Sequence, residues 1–328
     1  MNGPLPDVRA TARPNGLIDT IWAGFSAVNR NVWLLVIPIL IDVGLLLGPQ
    51  VTGGPLLETV LRQAAPPPNA SSELVRAMED GRRSSLEVLD KQPAIKNFNL
   101  VSLLTVVSLM SVPIIGVPSF QAGTPGQGPL MPLESAVGVA ATVFLCTTIG
   151  ICLAAVFYGM LGQAVREGRA APSRMAADLP PTLLWTAALF LLMLFLVFGG
   201  FTVAFLLTLT RGAIPALAAL MGPLILGVML WAFVYLFFTA VAVFVSQVPP
   251  LVAARQSILV VRNNFWSTLG FIGLVLIIWA GLPIIWNGIA DNLHGPGIAI
   301  AILGHIYISS GLAAAMMTYY KERFERLT

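Results

Sequence analysis

The chain has 328 residues, of which 57% are apolar and only 10% charged, against about 25% charged in an ordinary soluble domain. That balance excludes a soluble globular chain, and it equally excludes intrinsic disorder. A formal net charge of +3 is too small to point to a nucleic-acid partner, so the composition indicates a polytopic membrane protein whose first partner is the lipid bilayer.

In chain order, residues 1–30 read as a cytoplasmic N-terminal segment carrying an amphipathic surface helix. Its apolar residues Ile18, Ile21, Phe25, Val28 and Val32 recur at steps of three and four, which makes one stripe on a helix. A short first span follows over 31–48 and contains Asp42. It is expected to stay uncleaved, because a long polar stretch precedes it and Gly48 and Pro49 follow it without a cleavage site. Residues 49–134 form an outer loop or lid. Leu56, Leu57, Val60 and Leu61 suggest a short amphipathic helix there, and 72–89 a second, more polar one. Within the loop, 100–118 is uncharged but broken by Pro113, Gly116 and Pro118, which suits an interfacial or re-entrant segment better than a crossing. A five-span bundle over 135–320 has apolar runs at 136–161, 183–210, 223–245, 265–289 and 297–319, each near the roughly 20 residues a bilayer requires. Residues 212–221, interrupted by Pro215, are expected to be a wetter turn leading into the fourth span. Residues 321–328 form a basic cytoplasmic tail. The expected fold is therefore all-α: a six-span transmembrane helical bundle with amphipathic interfacial helices and one re-entrant or interfacial segment.

Cations support this topology. With six spans and both termini inside, the inner segments hold Arg9, Arg13, Arg30, Arg166, Arg169, Arg174, Arg255, Arg262, Lys321, Arg323 and Arg326, while the short outer loops hold only Arg211. A seven-span arrangement, with 100–118 crossing, remains open by the same count. The membrane expected is the bacterial inner (cytoplasmic) membrane.

One pattern recurs. Ile18, Ile21, Phe25, Val28, Val32 and Trp33 match Leu251, Ala254, Ile258, Val261, Phe265 and Trp266 residue for residue. Both stretches end alike, Val28-Asn29-Arg30-Asn31 against Val261-Arg262-Asn263-Asn264. Arg30 and Arg262 are read as anchors at the level of lipid phosphates, and Trp33 and Trp266 as anchors at the membrane boundary. The match fits either a duplicated unit or two amphipathic helices entering a membrane alike.

The run from Gln247 to Trp266, followed by two spans and a short basic tail, resembles a group of uncharacterised six-helix bacterial membrane proteins. It is similar to the membrane domain fused to some glycerophosphoryl diester phosphodiesterases. In that pattern a cytoplasmic amphipathic segment carries a serine, here Ser257, and a late asparagine, here Asn263 or Asn264. The resemblance implies a six-helix membrane fold and no catalytic residue. This chain lacks the phosphodiesterase domain.

Charged groups inside spans are costly and are functional candidates by default. Asp42 is the one carboxylate well within a span, about 9 Å from its outer end. His305 lies deep in the last span on a row of small residues, Gly297, Ala301, Ser309 and Ala313, and could pair with Asp42 across two helices. Gly199 and Gly200 allow a close approach or kink in the third span. Cys146 and Cys152, about 9 Å apart along one helix, are expected to be ordinary thiols. No metal-ligand spacing, phosphate-binding glycine loop or nucleophile–base arrangement occurs, so no cofactor is expected. The expected role is a non-enzymatic accessory or scaffold subunit of a membrane assembly. The alternative is a transporter or permease component for ions, lipids or small molecules using Asp42 and His305.

Overall fold

The computed structural model describes residues 16–65, 69, 71–92, 96–105, 128–213 and 215–328. Ten helices and two short strands are described. They are α1 (Leu17–Asn29), α2 (Val36–Leu47), β1 (Gln50–Thr52), α3 (Gly54–Gln63), α4 (Ser72–Lys91), β2 (Leu130–Pro132), α5 (Ala136–Glu167), α6 (Pro172–Ala213), α7 (Pro215–Leu236), α8 (Thr239–Ser246), α9 (Pro250–Asn263) and α10 (Phe265–Phe324). Single 3-10 turns stand at Val32–Leu35 and Leu100–Ser102.

The molecule is a polytopic helical bundle. Five segments are long and apolar enough to cross a membrane: Ala136–Glu167, Pro172–Gly200, Pro223–Ser246, Phe265–Leu293 and Gly295–Phe324. Leu17–Asn29 and Val32–Leu47 together would make a sixth, bent by 83°. The helix α10 is assigned as one element of 60 residues, yet it is a hairpin. On a straight helix Phe271 and Tyr319 would lie about 70 Å apart. Instead their rings stack at 4.3 Å, and the Tyr319 hydroxyl donates to the Ser267 hydroxyl at 3.0 Å. Nearer the bend, Gly304 leaves room for the Trp286 ring.

Four expectations need correction. The fourth span is not one helix, because α7 and α8 part at Phe237 and Phe238. Ser257 of α9 causes the break to hold. Its hydroxyl donates to the Tyr235 carbonyl at 2.7 Å and accepts from the Phe238 N–H at 3.1 Å, satisfying backbone groups that a continuous helix would pair internally. Of the expected turn 212–221, residues 215–221 are helical backbone of α7, since proline is well tolerated at a helix start, and 212–213 end α6. The third span sits earlier than 183–210, at Pro172–Gly200. Its helix α6 runs 42 residues through Pro180 and Pro181, and Thr182 bonds back to the Asp178 carbonyl there at 2.7 Å. Finally, residues 321–324 are not a free tail. Arg323 is 3% exposed, with its guanidinium 3.7 Å above the Tyr319 ring.

The amphipathic helix α1 also differs from the surface helix expected. Its buried residues are Thr20, Gly24 and Val28, and they lie against the final part of α10. A Cβ on Gly24 would overlap the Ala315 backbone, and one on Gly311 would overlap the Phe25 ring. Glycine at both positions lets the helices approach closely, as in membrane bundles generally. Only Ile18 and Val32 of the predicted stripe face outward; Ile21 and Phe25 are half-buried and Val28 is buried.

The loop between α2 and α5 is tied at both ends. The strands β1 and β2 pair in parallel, Gln50 with Leu130, Val51 with Met131 and Thr52 with Pro132. Asn99 reinforces the pairing by accepting from the Val51 and Val101 N–H groups, each at 3.1 Å. The strands were not expected; three residues carry too little alternation to read. The helices α3 and α4 lie on the two stretches read as loop helices. Of the segment 100–118, only 100–105 lies within the described residues.

The core sits toward one end of the bundle, called here the closed end, where α5 and α8 finish and α10 starts and finishes. Phe157, Tyr158, Phe237, Phe238, Phe244, Phe271, Tyr319 and Tyr320 are all buried there. Toward the opposite, loop end, the same helices become exposed: Phe144 on α5, Phe195 and Phe198 on α6, Leu226 and Leu230 on α7, Ile277 and Ile284 on α10.

Candidate functional site

Polar chemistry gathers at the closed end, and it is built around two asparagines. Asn31 ends α1 and Asn264 ends α9. Their backbone angles are nearly the same, φ −133° and ψ 42° against φ −131° and ψ 34°. Each side-chain amide donates to the carbonyl four residues earlier, Asn31 to Ala27 at 2.9 Å and Asn264 to Val260 at 3.1 Å. Each backbone N–H returns to the equivalent valine, Val28 or Val261. The buried triads Thr20, Gly24, Val28 and Ala253, Ser257, Val261 occupy matching places in the aligned stretches. Thus the two stretches share a helix, an asparagine hinge and an outgoing apolar helix in three dimensions as well as in sequence.

The anchors follow the same scheme. Trp33 and Trp266 are exposed beside the hinges, and so are Arg30 and Arg262. The two units differ in what the hinge holds. Asn31 is buried. Its oxygen accepts from the Ala170 N–H at 2.9 Å, and its amide also reaches the Gly168 carbonyl at 3.4 Å. It therefore locks α1 to the turn between α5 and α6, where Gly168 adopts φ 79°, a left-handed conformation that suits glycine. For Asn264, only the local bond to Val260 is described.

Cations near this turn cap helix C-termini. Lys321 donates to the carbonyls of Val165 and Arg166 at 3.3 and 3.2 Å, and the Arg166 guanidinium donates to the Phe244 carbonyl in the last turn of α8. Both place positive charge where helix carbonyls are unpaired. Gln247 donates to Asp178 at 3.2 Å, and the Gln163 side chain accepts from the Ala171 N–H at 3.0 Å. Between these side chains lies a polar cavity of about 10 Å³, lined by Gln163, Arg166, Asp178 and Gln247, with room for about one water molecule.

Asp42 and His305 lie on helices that touch, α2 and α10. Asp42 is fully buried, on the same face as Pro38, Ile41 and Leu45. His305 is half-buried, while Gly297, Ala301, Ser309 and Ala313 in its row are all buried. Cys146 and Cys152 are free thiols. Among the described residues no group of three or more His, Cys, Asp or Glu is placed to hold a metal ion.

Two features were missed by sequence reasoning. Ser257, noted only through a resemblance, organises the α7–α8 break. The second is an apolar groove of about 650 Å³ toward the loop end of α6 and α7, lined by Phe195, Leu196, Gly199, Gly200, Leu226's neighbours Ile225 and Val228, and Met229. The Gly199-Gly200 pair was the available signal: a Cβ on Gly200 would press on the Met229 methyl, whereas Gly199 faces open space.

No family model, no curated protein and no solved structure matches the chain. The reading of its function therefore rests on the geometry above.

Proposed function

We propose that this chain is a non-enzymatic membrane subunit, an accessory or scaffold component that binds other membrane subunits through the loop end of its helices. The observation that carries the reading is unequal packing. The most apolar windows of Pro223–Ser246 and Gly295–Phe324 are each 56% buried, against 22% for Ala136–Glu167, 12% for Pro172–Gly200 and 28% for Phe265–Leu293. The three less buried spans, with Phe195 and Leu226 turned outward near the loop end, keep apolar helix faces available to a neighbour. The same reading places the chain in the bacterial inner membrane with both termini cytoplasmic, as a six-span protein akin to the phosphodiesterase-fused membrane domain.

Photo-crosslinking tests it. A photoreactive side chain at Phe195 or Leu226 in intact membranes is expected to give a discrete protein adduct that co-purifies stoichiometrically in mild detergent. Adducts to lipid alone, from a chain that purifies as a monomer, would overturn the reading.

A second reading is favoured by one observation, the fully buried carboxylate of Asp42. In it the chain is a transporter or permease component, with Asp42 and His305 forming the polar site in the membrane. A substrate that binds the folded state stabilises it, by about 2.7 kcal/mol at a hundredfold excess over Kd, and so raises its thermal midpoint. Asp42→Asn would abolish that shift. An unchanged shift in this variant removes the polar-site reading.

A further inference from the structure

The turn locked by Asn31 borders a recess that neither reading uses. It has a volume of about 390 Å³ and opens between α1, the end of α5 and the end of α10; Trp22, Ser26, Arg30, Val165, Gly168 and Thr318 line it. That volume lies at the small end of the range for ligand sites. It accommodates a headgroup and excludes the acyl chains attached to one.

The chemistry of the walls is one-sided. Among the described residues no carboxylate lines the recess. Arg30 makes no ion pair or side-chain hydrogen bond among the described residues, so its guanidinium is free to grip an anion in two places at once. The Ser26 hydroxyl adds a donor. A second cation stands close by, because Lys321 holds the carbonyl of Val165, itself a wall residue. The outer wall is apolar: Trp22 is exposed beside the recess, and Ile18, one turn earlier on α1, is exposed as well. A phosphate site flanked by an exposed indole and an exposed isoleucine has the layered character of a membrane interface. Basic recesses between membrane helices are where anionic headgroups are held.

We infer that this recess binds the phosphodiester headgroup of one anionic phospholipid, with Arg30 on the phosphate and the acyl chains lying outside along Ile18 and Trp22. The second unit supplies an internal control. Arg262 is exposed beside the equivalent hinge, but no wall of this recess comes from its unit.

The experiment is native mass spectrometry of the full chain, released from micelles containing equal amounts of phosphatidylglycerol and phosphatidylcholine. The expected result is one phosphatidylglycerol retained per chain. Arg30→Glu and Arg30→Gln are each expected to lower that retention at least tenfold, with thermal midpoints in lipid-free detergent unchanged because the side chain is exposed. Arg30→Lys should recover part of it, and Arg262→Glu should leave it intact. Equal retention of phosphatidylcholine would overturn the inference. So would an equal loss in Arg262→Glu, which would mean general surface attraction. Displacement of the lipid by free glycerol phosphate at matching concentration would overturn it in favour of a soluble anion.

Discussion

The closed end and the loop end of this bundle are made from the same helices and obey different rules. At the closed end aromatic rings stack, helices touch through glycine, and exposed carbonyls are capped by lysine and arginine. Toward the loop end the same helices turn Phe144, Phe195, Leu226 and Ile284 outward, and the glycines Gly199, Gly227 and Gly281 face open space. Hydropathy is equally high along much of these spans, so apolarity alone does not decide packing in a membrane. Small residues and backbone hydrogen bonds decide it, because lipid tails solvate an exposed leucine as well as a neighbouring helix does.

Truncating one aromatic at each end separates the two ends by the largest effect. Phe238→Ala, in a buried stack with Tyr319 at 5.3 Å, is expected to cost about 3–5 kcal/mol. Phe195→Ala, 74% exposed, should change the stability of the isolated chain by less than about 0.5 kcal/mol. Thermal unfolding of both variants in one detergent measures the difference, and equal losses would mean that the loop end is packed too.

Next come the glycines. Gly24→Ala forces α1 away from Ala315, and overpacking of this kind costs about 1–3 kcal/mol. Gly199→Ala meets nothing and should be neutral or slightly stabilising, since alanine favours helix by about 1 kcal/mol over glycine. The same melts read both.

The two hinges give a smaller contrast. Asn31→Ala loses its helix bond and strands the Ala170 N–H, at about 1–3 kcal/mol. Asn264→Ala loses a local bond only, at about 0.5–1.5 kcal/mol. Hydrogen exchange at Ala170 should rise in the first variant and not in the second.

The smallest effect lies in the loop and depends on pH. Hydrogen bonds from Lys96 and Arg62 hold the Glu58 carboxyl below its ordinary value of 4.5, and Glu58 holds the Lys96 ammonium above its ordinary 10.5. The carboxylate's contribution is complete above pH 4.5 and is lost as pH falls through its lowered value. The ammonium's contribution is complete below pH 10.5 and is lost as pH rises through its raised value. Protease sensitivity of the loop should therefore increase at both extremes. Glu58→Gln should flatten the profile.

Much of this was legible because it is a matter of length and repetition. Apolar runs long enough to cross a bilayer announce themselves, and the paired Asn31 and Asn264 stand at matching places in two similar stretches. The break at Phe237–Phe238 was not legible. The run around it is uninterrupted and apolar, and what holds it open is a hydroxyl nineteen residues later on another helix. Arg323 misled for a related reason: a cation near the end of a span is usually solvated, and here the Tyr319 ring and the Glu322 carboxylate give it a buried place. Asp42 and His305 were identified as costly positions, and sequence spacing fixed neither their burial nor the contact between their helices.

The contact between α1 and α10 also has a consequence in time. The ribosome delivers α1 almost 290 residues ahead of its partner, residues 307–318. At about 5–20 residues per second α1 waits roughly 15–60 s for it. During that interval Thr20, Gly24 and Val28 have no native surface to meet, and the nascent chain must keep α1 parked at the bilayer or in the hands of an insertion factor. The contact between α1 and α10 thus forms late, once the long intervening chain has been made.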